Sequence, residues 1–170
     1  MVKEKNGLKY NAIKNHPVKG VRFIDLTPTL IDATAFRLTT YKMNLLLKEK
    51  YDYVVATDAR GFIWGSALAI ENNIPLLTVR KKGKLPPQIV GASITYDTEY
   101  STDCLEIPKC DLTGKRCVFV DDVYATGGTF KASVELVKEL GGEIVQGIVV
   151  YDVGLNKEKK MYSLFKGADL

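Results

Sequence analysis

Residues 118–130 read Val-Phe-Val-Asp-Asp-Val-Tyr-Ala-Thr-Gly-Gly-Thr-Phe, and this stretch decides the predicted fold. The uninterrupted apolar residues up to Val120 predict a buried strand. Asp121 and Asp122 follow it, and a small turn then leads into a helix expected from about Phe130 to Leu140. A continuous apolar strand that turns into a helix is typical of a parallel sheet.

The same strand-turn-helix order occurs elsewhere in the 170-residue chain. Further strands are predicted at 53–57, 74–79 and 144–151, and further helices at 32–47, where Asp32 is the expected cap, and at about 64–71. We therefore expect one α/β domain over residues 1–170, with a mostly parallel, twisted sheet flanked by helices on both faces. Ligands of such sheets bind at the carboxyl ends of the strands, where segments 58–61 and 121–129 begin.

Three segments show no clear helix or strand pattern. Residues 1–20 are predicted to be a polar leader, and no element is predicted beyond Tyr151. Residues 80–100 are predicted to be a long loop, because they contain two prolines, two glycines and few helix signals. A loop of this length inside a compact domain is usually functional or mobile.

Composition excludes several classes of protein. The net charge of +4 and the single basic cluster at 80–84 are too weak to predict nucleic-acid binding. Three cysteines without a CxxC pair, together with one histidine, argue against a zinc site and favour reduced thiols. No apolar signal core and no membrane-spanning run is present, so we expect a cytoplasmic protein that does not contact a membrane.

The turn after Asp121 and Asp122 suits a phosphorylated sugar. Backbone N–H groups at a helix N-terminus favour a phosphate, and Gly127 and Gly128 are expected to adopt positive φ and let the backbone approach it. Carboxylates are poor phosphate ligands but accept hydrogen bonds from sugar hydroxyls. Each feature alone would suit an ordinary strand end or helix start. Their combination favours a ligand site, and neither the G-x-x-x-x-G-K-[ST] nor the G-x-G-x-x-G pattern offers an alternative.

Residues 120–129 resemble the signature with which type I phosphoribosyltransferases bind phosphoribosyl pyrophosphate (PRPP). The resemblance implies that Asp121 and Asp122 hold the ribose 2- and 3-hydroxyls. It also implies a cradle for the 5-phosphate, made of Ala125, Thr126, Gly127, Gly128 and Thr129.

Other segments are similar to the adenine phosphoribosyltransferase family. Asp58-Ala59-Arg60-Gly61-Phe62 resembles the loop whose backbone amides meet pyrophosphate, with Arg60 also implied in catalysis and a cis peptide implied between Asp58 and Ala59. The basic cluster is family-like too, and the resemblance implies that Arg80, Lys81 and Lys84 face pyrophosphate. Without the resemblance, these segments would be a simple turn and a solvated basic loop.

Residues 96–107 resemble the family's flexible catalytic loop and the strand that follows it, within a mobile loop expected at 81–101. The resemblance implies that Glu99 lies near the purine imidazole edge and exchanges a proton with the base as N9 attacks. Tyr100 is implied to contact the base and close the site. Family members usually carry Gly where this chain has Ser101, and a polar hairpin is the alternative interpretation.

Residues 17–28 resemble the family's base-binding hood, expected at about 1–30 beside a core at about 31–170. The implied base contacts are Val21, Phe23 and Ile24. The family commonly reads Phe-Arg-Asp-Ile-[ST]-Pro here, so Ile24 replaces an arginine that flanks the purine. This departure leaves the choice of base open between adenine and a 6-oxopurine.

The resemblance implies the reaction of adenine with PRPP to give AMP and pyrophosphate. Mg²⁺ would be bound mainly through PRPP and water, with no direct protein ligand, because it usually keeps several waters. A homodimer is also implied. The alternatives are a hypoxanthine or guanine phosphoribosyltransferase, or a non-catalytic PRPP-sensing regulator. A regulator of this kind typically carries an added DNA-binding domain, for which 170 residues leave no room.

Overall fold

The structure is a computed structural model, and it describes residues 2–16, 19, 22–97, 102–155 and 157–170. Its strands are β1 (Lys3–Lys5), β2 (Leu8–Lys14), β3 (Arg22–Asp25), β4 (Tyr53–Thr57), β5 (Leu76–Lys81), β6 (Val90–Asp97), β7 (Thr102–Pro108), β8 (Arg116–Tyr124), β9 (Glu143–Asp152) and β10 (Met161–Lys166). Its α-helices are α1 (Thr27–Leu30), α2 (Ala33–Asn44), α3 (Gly61–Asn72) and α4 (Gly128–Glu139), with 3₁₀ turns at Pro87–Ile89 and Gly167–Asp169. None of the helices in these ranges combines the length and the apolar character that crossing a bilayer requires.

Seven strands form one sheet in the order β10-β9-β8-β4-β5-β7-β6. The strands from β10 to β5 pair in parallel, whereas β7 pairs antiparallel with both β5 and β6. The predicted mostly parallel sheet is confirmed. Strand β10 extends it beyond Tyr151, where the sequence pattern contains no clear strand.

Helices cover both faces of this sheet, as predicted. Consecutive residues of β4 point to opposite faces, because side chains alternate along a strand. Val54 belongs to a buried cluster with Trp64 of α3, whereas Val55 belongs to a second buried cluster with Phe130 and Leu136 of α4. Burying one such side chain contributes roughly 1.5–3 kcal/mol, so the two clusters hold the helices against the sheet.

Helix α2 begins where the sequence predicts. The Oδ1 atom of Asp32 accepts hydrogen bonds from the backbone N–H groups of Thr34 at 3.0 Å and Ala35 at 2.9 Å. A cap of this kind stabilises a helix by about 1 kcal/mol. The helix ends at Asn44 rather than at the predicted Leu47.

The prediction of a polar leader over residues 1–20 is wrong. Strands β1, β2 and β3 form a separate three-stranded antiparallel sheet, in which Leu8 and Tyr10 are buried. Asn6 and Gly7 connect β1 to β2 with φ of 51° and 80°, and an Asn-Gly pair of this kind is a strong hairpin signal. The alternation of Leu8 and Tyr10 with polar residues was the second missed signal.

The prediction of a loop over residues 80–100 is wrong for residues 80–81, which end β5, and for residues 90–97. The mobility expected of residues 81–101 stays a prediction. Residues 90–97 form β6, which pairs with β7 in antiparallel register from Asp97 opposite Thr102 to Val90 opposite Pro108. The segment Ile94-Thr95-Tyr96 consists of β-branched and aromatic residues, which favour a strand over a loop. Residues 98–101 lie outside the described part of the chain.

Candidate active site

The carboxyl ends of β8, β4 and β5 lie side by side, because these strands are parallel neighbours. Strand β8 continues to Tyr124, so Asp121 and Asp122 lie among its last four residues and not in the turn beyond it. Asp58 directly follows β4, and Arg80 lies next to the last residue of β5. The structure therefore brings the predicted ribose and pyrophosphate residues to one edge of the sheet.

Asp121 is held by two donors. The Thr57 hydroxyl donates to its Oδ2 atom, and the backbone N–H of Asp122 donates to its Oδ1 atom at 2.8 Å. Burial, together with the adjacent carboxylate of Asp122, raises the pKa of Asp121 to about 8. Both effects favour the protonated form of the Asp121 carboxyl.

Asp122 is 4% exposed and has an oxygen without a donor. Its Oδ2 atom lies 3.1 Å from Nε of Arg60, which makes an ion pair. The contact lacks hydrogen-bond geometry, and Oδ2 is the one buried side-chain nitrogen or oxygen atom without a hydrogen bond in the described ranges. A buried acceptor in this state favours a ligand that brings a donor.

Arg60 joins this acid to the predicted base site. Its guanidinium lies over the ring of Phe23, 5.2 Å from the ring centroid. The ring of His16 meets Phe23 edge-on at a centroid distance of 5.2 Å. Phe23, Arg60 and Asp122 thus lie in one row.

The structure does not bring the Ile24 side chain to this row, and a base contact of Ile24 stays a prediction. Ile24 is buried with Leu8 and Leu26 in the core, because neighbouring side chains of a strand point to opposite faces. Asp25 shares the face of Phe23. Burial acts to raise the pKa of Asp25. Hydrogen bonds from Thr27 and Asn11 and the charge of Arg60 outweigh it, so the pKa of Asp25 lies below its ordinary value. The predicted base contacts Val21 and Tyr100 lie outside the described residues.

The predicted phosphate cradle begins helix α4. Gly127 precedes the helix with φ of 82°, and a Cβ atom there would lie 2.6 Å from the Tyr124 hydroxyl, so only glycine fits. Gly128 is the first helical residue and does not have positive φ, which corrects that part of the prediction. Ala125 and Thr126 are half-buried before the helix, and the Thr129 hydroxyl lies 3.3 Å from that of Tyr96.

Gly61 allows a second helix to approach the acid pair. Helix α3 begins at Gly61, three residues before the predicted start at Trp64. A Cβ atom at Gly61 would lie 2.9 Å from Oδ1 of Asp121 and 3.0 Å from the carbonyl oxygen of Val120. The missing side chain therefore places the N-terminus of α3 against Asp121, where its dipole adds to that of α4.

The residues predicted to meet pyrophosphate lie beside this helix start. The peptide bond between Asp58 and Ala59 is cis, as the family resemblance implies. Arg80 donates from Nε to Oδ2 of Asp58 at 3.1 Å, and its guanidinium lies 5.4 Å from the ring centroid of Phe62. Arg80 is thereby held at the carboxyl edge of the sheet.

Two lysines complete the basic group at the end of β5. Nζ of Lys81 lies 3.0 Å from Oδ2 of Asp103, and this hydrogen bond and charge raise the pKa of Lys81. Lys84 is exposed. The predicted pyrophosphate residues are thus together, but three of the cations, Arg60, Arg80 and Lys81, have acidic partners. Glu99, the predicted catalytic carboxyl, lies outside the described residues.

Comparison with known proteins agrees with this geometry. A family model described as phosphoribosyl transferase domain matches residues 29–168. The adenine phosphoribosyltransferase of Thermoanaerobacter sp. (strain X514) is 44% identical over 154 residues, which cover 88% of this chain and 86% of the relative. This chain belongs to the adenine phosphoribosyltransferase family.

Solved structures of adenine phosphoribosyltransferases share the fold. The protein from Thermoanaerobacter pseudethanolicus has a TM-score of 0.85 at 40% identity, with 92% of this chain and 95% of that chain covered. The protein from Saccharomyces cerevisiae, complexed with adenine and D-2,5-dideoxy-2,5-imino-altritol 1,6-bisphosphate, has a TM-score of 0.78 at 32% identity, with 84% of each chain covered. The family and the fold expected from the sequence are confirmed.

Several side-chain contacts of this phosphoribosyltransferase site were not predicted, although Phe62, Tyr96 and Asp103 lie in segments that resemble the family. Thr57 and Phe62 adjoin predicted residues, but nothing in their type signals a contact with Asp121 or Arg80. Tyr96 and Asp103 lie on the hairpin of β6 and β7, which the loop prediction missed. Recognising β6 as a strand would have pointed to both.

Proposed function

We propose that this protein transfers the phosphoribosyl group of PRPP to adenine, releasing AMP and pyrophosphate. The proposal rests above all on the buried Oδ2 atom of Asp122, which lacks a hydrogen-bond donor next to a helix-terminal phosphate cradle. Leaving a buried acceptor unpaired costs about 1–3 kcal/mol, and a ribose hydroxyl is a donor that would remove this cost.

The acid pair matches a ribose diol in hydrogen-bonding capacity. Each sugar hydroxyl both donates and accepts. A protonated Asp121, whose pKa is raised to about 8, offers a donor and an acceptor, and Oδ2 of Asp122 offers an acceptor. We therefore assign the 2- and 3-hydroxyls to these two residues.

We assign the 5-phosphate and the pyrophosphate of PRPP to two different parts of the site. The segment from Ala125 to Thr129 would hold the 5-phosphate, because it precedes and opens the twelve-residue helix α4. Arg80, Lys81 and Lys84 would hold the pyrophosphate together with the amides of Asp58 and Ala59. Fixed cations stabilise the negative charge that a leaving group gains as its bond breaks.

The proposed transfer replaces one bond at C1 of the ribose. N9 of the base forms a bond to C1 with inversion, the bond from C1 to the pyrophosphate oxygen breaks, and the electron pair leaves with pyrophosphate. The transition state resembles an oxocarbenium ion, as in glycoside chemistry. We assign the N9 proton to Glu99 and the contact between base and ribose to Phe23 and Arg60.

The residues at the site are compatible with the Mg²⁺ that we propose to accompany PRPP. In the described part of the chain, no group of three or more His, Cys, Asp or Glu residues is arranged to hold a metal ion by itself. The oxygens of Asp121 and Asp122 are nevertheless hard donors of the kind Mg²⁺ accepts through water. Bound to PRPP, the ion would neutralise pyrophosphate charge.

Adenine is the base that the observations favour. The reason to consider a 6-oxopurine was Ile24, yet its side chain lies in the core and not beside Phe23. Ile24 therefore gives no reason to prefer hypoxanthine or guanine. The similar protein from Giardia lamblia was solved with 9-deazaadenine, at 28% identity and a TM-score of 0.83.

A panel of bases tests the proposal. Purified protein would be incubated with PRPP, Mg²⁺ and adenine, hypoxanthine or guanine in turn, and release of pyrophosphate and formation of nucleotide would be measured. We expect AMP from adenine and at least about 100-fold lower kcat/KM for the other two. Turnover of hypoxanthine without adenine would contradict the choice of base. Binding of PRPP without pyrophosphate release from any base would support a regulator instead.

We also propose a homodimer in the cytoplasm. Apolar side chains remain exposed around α2, among them Ile31 at 81% and Leu45 at 63%, with Tyr41 between them. Covering them with a second copy would remove apolar surface from water. The cysteines are free, as in a reducing compartment. Light scattering that gives the mass of one chain would contradict the dimer.

A further inference from the structure

Glu106 is a buried acid that the proposed reaction does not use. It is 8% exposed and lies on β7, directly across the antiparallel ladder from Arg80 of β5. Glutamate is rarely buried to this extent without a partner. The hydrogen-bond partner of Glu106 therefore indicates its role.

The partner is a backbone amide in the basic turn, which we define as residues 81–84. The N–H group of Gly83 donates to Oε2 of Glu106 at 3.1 Å. The N–H group of Lys84 donates to the carbonyl oxygen of Lys81 at 3.1 Å, which closes the turn, and Gly83 has φ of 76°. Positive φ at the third position of a turn favours glycine. Glu106 thus binds the one residue of the turn that is not a lysine.

The neighbouring acid on β7 acts on the same turn in a different way. Oδ2 of Asp103 lies against the ammonium group of Lys81, at 3.0 Å. A bound pyrophosphate would compete for that ammonium group. Glu106 binds the main chain instead, so its hydrogen bond persists when the lysine side chains turn to a ligand.

We infer that Glu106 is a positioning residue for the pyrophosphate site, which it serves by fixing the backbone of the basic turn. This inference rests on the proposed function. The three lysines of the turn repel one another, and the nearby Glu106 carboxylate offsets that repulsion. Its hydrogen bond to the Gly83 N–H also fixes the direction in which the side chains of Lys81 and Lys84 project. Fixing these cations before the substrate binds lowers the conformational entropy that is lost on binding.

Replacing Glu106 separates its geometry from its charge. Glu106→Gln keeps an acceptor for the Gly83 N–H, so we expect KM for PRPP to stay within about threefold of the wild-type value, a small rise reporting the lost charge. Glu106→Ala removes the acceptor, and we expect about a tenfold higher KM for PRPP with less than about a threefold change in KM for adenine. Equal KM values for PRPP in the wild type and Glu106→Ala, or a lower value in Glu106→Ala, would overturn the inference.

A second variant removes the same hydrogen bond from its other end, in case Glu106→Ala does not fold. Gly83→Pro removes the N–H group and cannot adopt positive φ, and a Cβ atom at this position meets no atom within 4 Å. We expect a rise in KM for PRPP like that of Glu106→Ala. Gly83→Ala is also strained at φ of 76° but keeps the N–H, so we expect its KM to lie between those of the wild type and Gly83→Pro. An unchanged KM in Gly83→Pro would also overturn the inference. A wild-type protein that does not use PRPP would instead refute the proposed function.

Discussion

Nε of Arg60 lies 3.1 Å from Oδ2 of Asp122, but the two residues differ in their contact with water. The Arg60 side chain is 51% exposed and that of Asp122 only 5%. The cation keeps much of its hydration, whereas the carboxylate oxygen is buried and has no hydrogen-bond donor among the described residues. Arg60 therefore neutralises the acid without occupying its acceptor position, which stays available for a ribose hydroxyl.

Replacing Asp122 should impair PRPP use more than it impairs folding. For Asp122→Asn we expect kcat/KM for PRPP to fall by about 10- to 100-fold, because hydrogen bonds to charged groups are worth about 1.5–3 kcal/mol. For Asp122→Ala, which also removes the remaining acceptor, a larger loss is expected. Steady-state kinetics with varied PRPP measures both.

The matched control for this prediction is Asp111→Asn, which changes an exposed aspartate whose carboxylate accepts from Thr113. Its kinetics should equal those of the wild type. Thermal denaturation should show that Asp122→Asn remains folded. A folded Asp122→Asn protein with unchanged kinetics would refute the assignment of the ribose hydroxyl.

The raised pKa of Asp121 predicts how stability depends on pH. In the folded chain this carboxyl keeps its proton up to a pKa of about 8, whereas the unfolded chain loses it near the ordinary value of 3.8. Between these values the folded state binds the extra proton, so Asp121 makes the folded chain progressively less stable as pH rises from about 4 to about 8. Above that window the effect levels off.

The Asp121→Asn variant removes this carboxyl, together with its interaction with Asp122, and keeps every other titrating residue of the wild type. The free energy of unfolding, measured by denaturant titration at pH 5, 7 and 8.5, should decline more steeply in the wild type than in the variant. Parallel pH profiles for the two proteins would mean that Asp121 titrates normally.

Asp103 should weaken the binding of pyrophosphate, because it occupies the ammonium group of Lys81. For Asp103→Asn we expect the dissociation constant for magnesium pyrophosphate to fall by up to about fivefold, the range set by exposed ion pairs of about 0.2–1 kcal/mol. Calorimetric titration measures it. Glu135→Gln is the control, since it removes an acid beside Lys138 on α4. Weaker binding in Asp103→Asn would contradict this prediction.

Phe23 and Ile24 are adjacent residues with opposite expected effects. Phe23→Ala should raise KM for adenine by about tenfold or more with little change in stability, because its half-buried ring faces Arg60. Ile24→Ala should lower the free energy of unfolding by about 2–5 kcal/mol and leave KM for adenine nearly unchanged, because Ile24 is buried in the core. A larger effect of Ile24→Ala than of Phe23→Ala on KM for adenine would place Ile24 at the base.

Local features of the chain were predictable from the sequence. The strand at Tyr53–Thr57, the Asp32 cap and the glycine before α4 all depend on residues within a few positions of one another. So does the order of acid pair, small turn and helix. Hydrophobic period, capping and turn chemistry act over such short distances, which is why these elements and their ligand class could be inferred.

Contacts between distant segments were decided only by the tertiary structure. The face of β3 that meets Arg60 depends on how the N-terminal sheet packs, which separates Phe23 from Ile24. The hydrogen bond from the Gly83 N–H to Glu106 joins residues 23 positions apart. It forms only because β5 and β7 pair in the register that sets Arg80 opposite Glu106. A shift of one residue in such a ladder would send every side chain to the opposite face, so strand pairing, and not residue type, decides which charges meet at this site.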